Sequence, residues 1–424
     1  MEETLKTRAE RAYELLEKLS FTRVSCSEEE TRAAEMLKAE AEKNGVPASI
    51  ETFEASCGIV KEARLKVLEP YEKEYEVTGY IRSDSTPPDG LELDFVYAEN
   101  GLPQNLVGCE GKAILVNGRV TYRMYERLQK AKPAAIIGFS GGVTDRNEET
   151  DLDIRKLRET YAGAFGSNVL LNLRASDALE LVARGAKKVR VTVKAESFDG
   201  VSRNVLCEIP GTEFPDEIVS FGAHYDSVYF SKGAYDNMSG SVIIMEMLRY
   251  FKANPPRRTV RFHWYGSEEQ GLLGSKAWTK AHEDELSKHV LMINVDVAAP
   301  VLGSEQVITM GTEAMTSYVD GMMKELGKAA EVKTDIYSSD SVPFADKGVP
   351  AINFCRFGAH GAAFIHERRD DLAYGYMNAE ALGKTLDIVM EFSKRVINAP
   401  VFPIERKISD EIKDKVDKYL FRKK

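Results

Sequence analysis

Four continuous apolar runs in the second half of the chain constrain its fold more than any other feature. Each run ends in a polar or charged cluster or loop and alternates with helix-like patterns, and the runs read IVSFGAHYDS, TVRFHWYGSEE, VLMINVDVA and VPAINF. Strands that are apolar on both faces and alternate with helices are typical of a mainly parallel sheet covered on both sides. The sequence therefore predicts an α/β fold with a mixed, mainly parallel sheet sandwiched by helices.

The segment that precedes these runs has a different sequence pattern. It contains short β-branched runs and one unit, Gly111–Gly142, in which the pattern indicates strand, helix and buried strand. Ile412 and Val416 repeat at helical spacing after Ser409 and predict a helix at the C-terminal end. We therefore expect a main domain, a smaller β-rich inserted domain and a C-terminal helix. Their predicted bounds are 1–58 with 198–400, 59–197, and 401–424, respectively.

The N-terminal part shows a clear helix signal. Ser27 and Glu30 have the spacing of a capping box, and Gly45 is placed to end the helical pattern that follows them. The acidic residues Glu28–Glu30 have the appearance of a solvated surface. This pattern predicts an amphipathic outer helix of the main domain.

Charge, cysteine content and the N-terminal sequence exclude several classes of function. The formal net charge of −10 offers no basic surface for a phosphate backbone, so we expect no nucleic-acid partner. The first thirty residues lack the apolar stretch of a signal peptide or membrane span, which favours a cytoplasmic protein without a membrane partner. The five cysteines never form a C-x-x-C pair, so neither a disulfide framework nor a thiolate zinc site is indicated.

The residues with catalytic potential follow the apolar runs. His224 and Asp226 end the first run, Glu268 and Glu269 end the second, and Asp296 lies in the third. In open α/β sheets ligands bind in the crevice beyond the carboxyl ends of the strands. The sequence therefore predicts that three strands deliver these side chains to one edge of the sheet.

Two further residues extend this set. Asp236 lies just before a helix in the stretch GAYDNMSGS, and His366 lies in the loop after VPAINF. Carboxylates that converge in one crevice repel one another unless a countercharge is present, and a divalent metal is the simplest one. Imidazole and carboxylate ligands without thiolates suit zinc, with cobalt or manganese as alternatives. Five ligands would hold two metals if one carboxylate bridges them, which leaves Glu268 unbound. These ligands are His224, Asp236, Glu269, Asp296 and His366.

No single one of these pieces is specific. An H-x-D triplet or a Glu-Glu pair is common on surfaces, whereas Asp296 is a stronger signal because a charge inside a buried strand run needs a partner. Among the remaining histidines, His263 is predicted to be a satisfied core residue. His282 and His289 lie in polar helical sequence and are predicted to be exposed.

Six stretches between Asn204 and Asp371 occur in the order typical of one family. They are GAHYDS, GAYDNMSG, SEEQGLLGS, NVD, SSDSVPF and IHERRDD. Together they resemble the co-catalytic di-zinc exopeptidases typified by bacterial leucyl aminopeptidase and vacuolar aminopeptidase Y, with glutamate carboxypeptidase as a cousin. The resemblance implies the zinc-exopeptidase fold of the phosphorylase/hydrolase-like type and two zinc ions. It also makes the segment Gly111–Gly142 similar to the core of a protease-associated domain.

The resemblance also implies a role for each candidate residue. It assigns His224 and Asp296 to one metal, Glu269 and His366 to the other, and Asp236 to both as a bridge. Glu268 matches the general base, and Asp226 matches the carboxylate that orients His224. A cis peptide is implied after Asp236. One departure is Ser341, where some members carry a histidine.

The sequence thus predicts a metal-dependent aminopeptidase that hydrolyses N-terminal residues from short peptides. Glu268 would take a proton from the attacking water and pass it to the leaving amine. Three alternatives stay open: a carboxypeptidase or dipeptidase of the same family, a glutaminyl cyclase, and a receptor-like scaffold without activity. Arg356, Arg368 and Arg369 near the last ligand keep the carboxypeptidase open, since arginine suits a terminal carboxylate. Tyr337 and His360 are unranked candidates for stabilising the oxyanion, and a homodimer is left open.

Overall fold

The computed structural model describes residues 7–118, 120–146, 152 and 155–423. The chain divides into two compact units, one with residues up to Ala55 and from Gly200 onward, the other Ser56–Asp199. The sequence placed these borders at 58 and 198. The C-terminal segment, predicted as a separate part, belongs to the first unit, and its last residue, 424, lies outside the described residues.

Eleven α-helices lie in the described part of the chain. They are α1 (Arg8–Leu19), α2 (Glu28–Lys43), α3 (Tyr122–Lys130), α4 (Glu159–Phe165), α5 (Ala175–Ala183), α6 (Ser239–Ala253), α7 (Leu273–Ala281), α8 (Glu313–Glu325), α9 (Ser341–Asp346), α10 (Ala379–Ile397) and α11 (Asp410–Tyr419). A π-helical turn, Ala234–Met238, precedes α6, and 3₁₀ turns span Glu283–Lys288 and Leu372–Tyr374.

Fourteen strands are found among the same described residues. They are β1 (Ala48–Glu69), β2 (Lys73–Tyr75), β3 (Val77–Gly79), β4 (Leu91–Tyr97), β5 (Ala113–Leu115), β6 (Ala135–Ser140), β7 (Val169–Arg174), β8 (Lys188–Ile209), β9 (Phe214–His224), β10 (Arg258–Tyr265), β11 (His289–Val295), β12 (Gly303–Met310), β13 (Ala330–Thr334) and β14 (Ala351–Gly358).

The sheet of the first unit has the order β13-β12-β14-β11-β9-β10-β8. Strands β14, β11, β9 and β10 are parallel neighbours, and β13 is parallel to β12. The β12/β14 and β10/β8 pairs are antiparallel. The predicted mixed, mainly parallel sheet is therefore confirmed.

Helices cover both faces of this sheet because its central strands are apolar on both sides. Every residue of β11 is buried, and successive residues point to opposite cores. Ile293 packs with residues of α1, α6 and α10 on one face. Met292 packs with residues of α7, α9 and α11 on the other. The run predicted as a strand is thus the centre of a three-layer α/β/α arrangement.

The second unit contains its own parallel ladder. Strands β4, β5, β6 and β7 are parallel neighbours, and β3 pairs antiparallel with β7. The strand, helix, strand order predicted for Gly111–Gly142 is confirmed as β5, α3 and β6, although Arg119 lies outside the described residues. Helices α3, α4 and α5 make this unit less purely β than the sequence pattern indicated.

The N-terminal helix signal is confirmed only in part. The Ser27 hydroxyl accepts the backbone N–H of Glu30, and α2 ends before Gly45, whose φ is +77°. The Glu30 carboxylate does not complete the capping box, because it accepts the N–H of Cys26 and the hydroxyl of Ser202 instead. The prediction that Glu28–Glu30 are solvated is correct for the first two residues and wrong for Glu30, which is fully buried.

The remaining helix and histidine predictions are also partly correct and partly wrong. Helix α11 begins after Ser409, as predicted, and buries Ile412 against the cluster that contains Phe344. His263 is buried as predicted, but it is not satisfied, since neither ring nitrogen has a hydrogen-bond partner among the described residues. His289 is buried rather than exposed, because it lies on a central strand. No helix in the described ranges combines the length and apolarity that crossing a bilayer requires.

Candidate metal centre

Three neighbouring strands end at one edge of the first unit's sheet and carry the central side chains of the site. His224 is the last residue of β9, and Asp296 directly follows β11. Glu268 and Glu269 follow β10 after a short turn through Gly266 and Ser267. Since these strands are parallel neighbours, their carboxyl ends meet, as the sequence predicted.

Two loops bring the remaining predicted ligands to the same edge. Asp236 lies in the π-helical turn between β9 and α6, and its peptide bond to Asn237 is cis, as the family resemblance implies. His366 lies in the loop after β14 and has a φ of +58°. The structure thus gathers side chains from three strand ends and two loops.

Asp236 lies between the two histidines. Its Oδ1 is 3.1 Å from Nε2 of His224, and its Oδ2 is 3.0 Å from Nε2 of His366. Oε2 of Glu269 lies 3.0 Å from the same His366 nitrogen, and Oδ1 of Asp296 lies 3.7 Å from the His224 nitrogen. The five predicted ligands therefore form two triads that share Asp236: His224, Asp236 and Asp296, and Asp236, Glu269 and His366.

The donor set fits two divalent metal ions. Atoms bound to one tetrahedral zinc at about 2.0–2.1 Å lie about 3.3 Å apart, which matches the separations in both triads. Each triad supplies three protein ligands and leaves a further position open. Oε1 of Glu269 is buried and has no hydrogen-bond partner among the described residues, as expected of a ligand oxygen whose partner is an ion.

Glu268 lies at the border of the first triad. Its Oε2 is 4.0 Å from Nε2 of His224, and its side chain is 11 % exposed. His224, Glu268 and Glu269 also form a third group with metal-ligand spacing. The geometry therefore places Glu268 close enough to the centre to act as a base and close enough to be tested as a ligand.

Asp226 organises more of the site than the sequence suggested. Its Oδ1 lies 3.4 Å from Nδ1 of His224, as expected of the carboxylate that orients this ring. The same carboxylate accepts the backbone N–H groups of Glu268 at 3.0 Å and of Glu269 at 3.2 Å. The Ser25 hydroxyl donates to Oδ2. One buried carboxylate thus positions a ligand ring and the turn that carries two glutamates.

Several supporting residues were not recognised from the sequence. Oε1 of Glu30 accepts the hydroxyls of Ser202 and Ser267, the residue directly before Glu268. The buried guanidinium of Arg23 donates to the carbonyl oxygens of Tyr225 and Gly233. Both residues lie in the segment that connects two predicted ligands. These contacts join residues 172 to 237 positions apart, so local sequence patterns carry no signal for them.

Asp340 is a further buried carboxylate beside the centre. The Ser275 hydroxyl donates to its Oδ1 at 2.5 Å, and its Oδ2 has no hydrogen-bond partner among the described residues. Burial raises the pKa of Asp340 to about 7, and Asp296 and Asp226 add to the rise. The adjoining Ser341, where some family members carry a histidine, is buried at the start of α9.

Burial and mutual repulsion shift the pKa values of the central groups. Burial raises the pKa of Glu268 well above its ordinary value, and the carboxylates of Glu269 and Asp340 add to this effect. For His224, burial lowers the pKa, but the Glu268 carboxylate and its other acidic neighbours raise it well above the ordinary value. The Glu269 carboxylate is the main cause of a raised pKa at His366. Such a concentration of negative groups favours a bound cation.

The two oxyanion candidates lie in different surroundings. Burial raises the pKa of the Tyr337 hydroxyl well above its ordinary value, and the carboxylates of Asp296 and Asp236 contribute to the rise. His360 is exposed. Proximity to the candidate ligands therefore favours Tyr337 as the residue to test.

The part of the chain that carries these residues is similar to known peptidases. Residues 204–393 match the model of Peptidase family M28. The aminopeptidase YwaD of Bacillus subtilis is 28 % identical over 282 residues, which cover 64 % of this chain and 59 % of YwaD. Carboxypeptidase Q of Bos taurus is 26 % identical over 372 residues, covering 79 % of this chain and 76 % of that protein.

Solved structures agree on the fold. The structure of BSAP, a zinc aminopeptidase from Bacillus subtilis, superposes with a TM-score of 0.77 at 22 % identity and covers 96 % of this chain and 100 % of BSAP. A Peptidase M28 precursor from Shewanella amazonensis gives a TM-score of 0.78 at 22 % identity, with 96 % of each chain covered. Residues 204–393, which carry the candidate ligands, are therefore similar to peptidase family M28, and the whole chain shares its fold with solved zinc aminopeptidase structures.

Proposed function

We propose that this protein is a metal-dependent aminopeptidase that removes N-terminal residues from short peptides at a site with two zinc ions. The observation that carries the proposal is the position of Asp236, whose two oxygens each face the Nε2 atom of a different histidine at 3.0–3.1 Å. The match of residues 204–393 to the model of a peptidase family supports the hydrolase class. Two-metal sites of this kind occur in aminopeptidases.

Each residue has a defined part in the proposed reaction. Divalent ions held by the two triads would polarise the scissile carbonyl and lower the pKa of water. Glu268, which binds neither ion in this assignment, takes the proton of the attacking water and delivers it to the departing amine. Asp226 holds Glu268 by its backbone N–H and faces the ring of His224, so base and ligand keep a fixed separation.

The surroundings favour an amino-terminal over a carboxyl-terminal substrate end. Arg356 is buried and engaged by Glu305 and by the carbonyl oxygen of Pro300, so it cannot receive a terminal carboxylate. Arg369 donates to Glu367 and lies over the ring of Phe364. The carboxylates that line the centre instead attract a positively charged terminal amine.

A substrate panel tests this proposal against the open alternatives. Amino-acid amides with a free amine are compared with N-blocked amides and with dipeptides, each in the presence of zinc, cobalt or manganese. We expect cleavage of free-amine substrates and about two metal ions per chain. Cleavage confined to peptides that need a free carboxyl end would identify a carboxypeptidase. One ion per chain with cyclised products would identify a glutaminyl cyclase, and no turnover with any metal would indicate a scaffold.

Finer assignments belong to the same proposal. Zinc is favoured over cobalt or manganese because BSAP, which has a similar structure, is a zinc aminopeptidase. The similarity of residues 111–142 to a protease-associated domain stays a proposal. The cytoplasmic location and a homodimer also stay predictions.

A further inference from the structure

Asp370 is a buried carboxylate that belongs to neither ligand triad. It is 0 % exposed and lies four residues after His366. Its Oδ1 accepts the backbone N–H of Tyr235 at 2.6 Å, and its Oδ2 accepts the backbone N–H of Asp236 at 3.1 Å. The hydroxyl of Ser231 donates to the same Oδ2 at 3.3 Å. Asp370 therefore binds the backbone of the residue that both triads share.

These contacts connect two loops that each carry a candidate ligand. The backbone N–H of Asp370 donates to the carbonyl oxygen of Glu367, which closes the short turn that follows His366. A single side chain thus fixes the start of the π-helical turn that holds Asp236 relative to the loop that holds His366. The 3.0 Å separation between Asp236 and His366 depends on that connection.

We propose that Asp370 is a positioning residue that sets the separation between His366 and Asp236 and so retains the metal ion of the Asp236, Glu269 and His366 triad. This inference rests on the two-metal site of the proposed function. Residues that orient metal ligands from outside the coordination sphere typically change metal affinity 10- to 100-fold when replaced. The other triad shares Asp236 but depends less on Asp370, because its two remaining ligands, His224 and Asp296, are held at the ends of paired strands.

The chemistry of the contacts requires a carboxylate. Asp370 faces two backbone N–H donors, one for each oxygen. An asparagine has one acceptor oxygen, so its amide NH₂ would point at a second donor and leave a buried N–H unpaired. Asp370→Asn therefore preserves the size of the side chain and removes one of the two backbone contacts.

The neighbouring Asp371 provides a matched control. Its Oδ2 lies 2.8 Å from Nζ of Lys232, so it links the same two loops nearer the surface, where an ion pair contributes little. Its Oδ1 accepts the N–H of Ala373, a contact that an asparagine oxygen can also make. Asp371→Asn thus makes the same chemical change one residue away without touching the backbone of Asp236.

The test is a zinc titration of the full chain after chelator treatment, by calorimetry and by metal analysis. We expect the unchanged chain and Asp371→Asn to bind two ions. For Asp370→Asn we expect the ion of the Asp236, Glu269 and His366 triad to bind 10- to 100-fold more weakly, and the ion of the other triad to lose less affinity. Hydrolysis by Asp370→Asn should recover when zinc is raised to saturate the weakened site, which a general loss of structure would not allow.

Two further outcomes decide the matter. If Asp370→Asn fails to fold, as judged by circular dichroism, Ser231→Ala removes one contact to Asp370 and should weaken binding of the ion of the Asp236, Glu269 and His366 triad more than that of the other ion, by a smaller factor. Equal weakening of both ions, or two ions bound as tightly as before, overturns the role of Asp370 and leaves the proposed function standing. A single ion bound by the unchanged chain overturns the two-metal site as well.

Discussion

The two histidines of the candidate centre are chemically identical but supported in different ways. His224 ends a strand that has parallel neighbours on both sides, and its side chain is 1 % exposed. His366 lies in a loop with a left-handed backbone conformation, and its side chain is 34 % exposed. The sheet therefore fixes one half of the site, whereas the other half depends on side chains that join loops. Experiments that alter either support separately measure how unequal the halves are.

The largest effect should come from Glu268, which lies on the side of His224. Replacing Glu268 by Gln keeps its size and removes the base, so turnover should fall about 10²- to 10⁴-fold. Zinc content should stay at the level of the unchanged chain. The measurement is the kinetic constant kcat together with metal analysis.

Glu313→Gln, on the exposed first turn of α8, is the control for this substitution and should behave as the unchanged chain. Loss of zinc together with activity would contradict the assignment. It would make Glu268 a ligand of the third group, with His224 and Glu269.

Asp226→Asn tests how the half of the site that contains His224 is held in place. The asparagine can accept only one of the two N–H groups of Glu268 and Glu269, and its NH₂ would face the other. We expect kcat to fall about 10- to 100-fold and the affinity for the metal ion of the His224 triad to decrease. Asp216→Asn, whose side chain is 82 % exposed, should have no effect on either quantity. If only the ion of the His366 triad bound more weakly, Asp226 would support the loop-bound half of the site rather than the half fixed by the sheet.

A buried histidine behind the sheet should make stability depend on pH. Burial lowers the pKa of His289 to about 3, with Arg261 and His282 nearby adding to the shift. Since the unfolded chain binds this proton at about pH 6.5, the unfolded state holds more protons between these values. The contribution of neutral His289 to stability is therefore complete above pH 6.5 and is lost as the pH falls towards 3.

The expected loss at pH 5 is about 2 kcal/mol, because each pH unit below 6.5 costs about 1.4 kcal/mol. Urea unfolding of the metal-free chain at pH 7 and pH 5 measures it. His289→Asn should reduce the difference between the two pH values, and His282→Gln, at a half-buried position, should keep it. An unchanged pH dependence in His289→Asn would contradict the prediction.

The smallest effect on activity is expected at Glu30, which reaches Glu268 only through Ser267. Glu30→Ala removes the acceptor of the Ser267 hydroxyl and should lower kcat about fivefold, equivalent to about 1 kcal/mol, with little change in KM. Glu30→Gln should approach the unchanged chain. Its oxygen can accept the N–H of Cys26, and its NH₂ can donate to the serine hydroxyls.

Glu29→Ala is the control on the same helix turn, where the residue is exposed. It should leave kcat unchanged. An equal loss in Glu29→Ala and Glu30→Ala would show that the helix as a whole matters rather than the contact with Ser267.

Sequence patterns were informative where the position of a side chain follows from the residues next to it in the chain. Apolar runs marked β9, β10 and β11, and the rule for parallel strands then placed His224, Glu268 and Asp296 at one edge. His366 was predicted from its position in the loop after a predicted strand, and the family resemblance then gave it a role, because a loop histidine carries little local signal of its own. Glu30 and His289 were misjudged because each lies in polar sequence and becomes buried only through distant contacts.

The amino-acid sequence by itself determined the layered α/β architecture and the kinds of ligand available, because the burial of apolar runs and their alternation with helices follow from local patterns. The tertiary structure alone decided how those ligands are held. Arg23, Glu30 and Asp370 contact residues 134 to 237 positions away in the chain. A polar side chain in such a position can be buried only because residues distant in sequence supply its hydrogen-bond partners, and no local pattern indicates those partners.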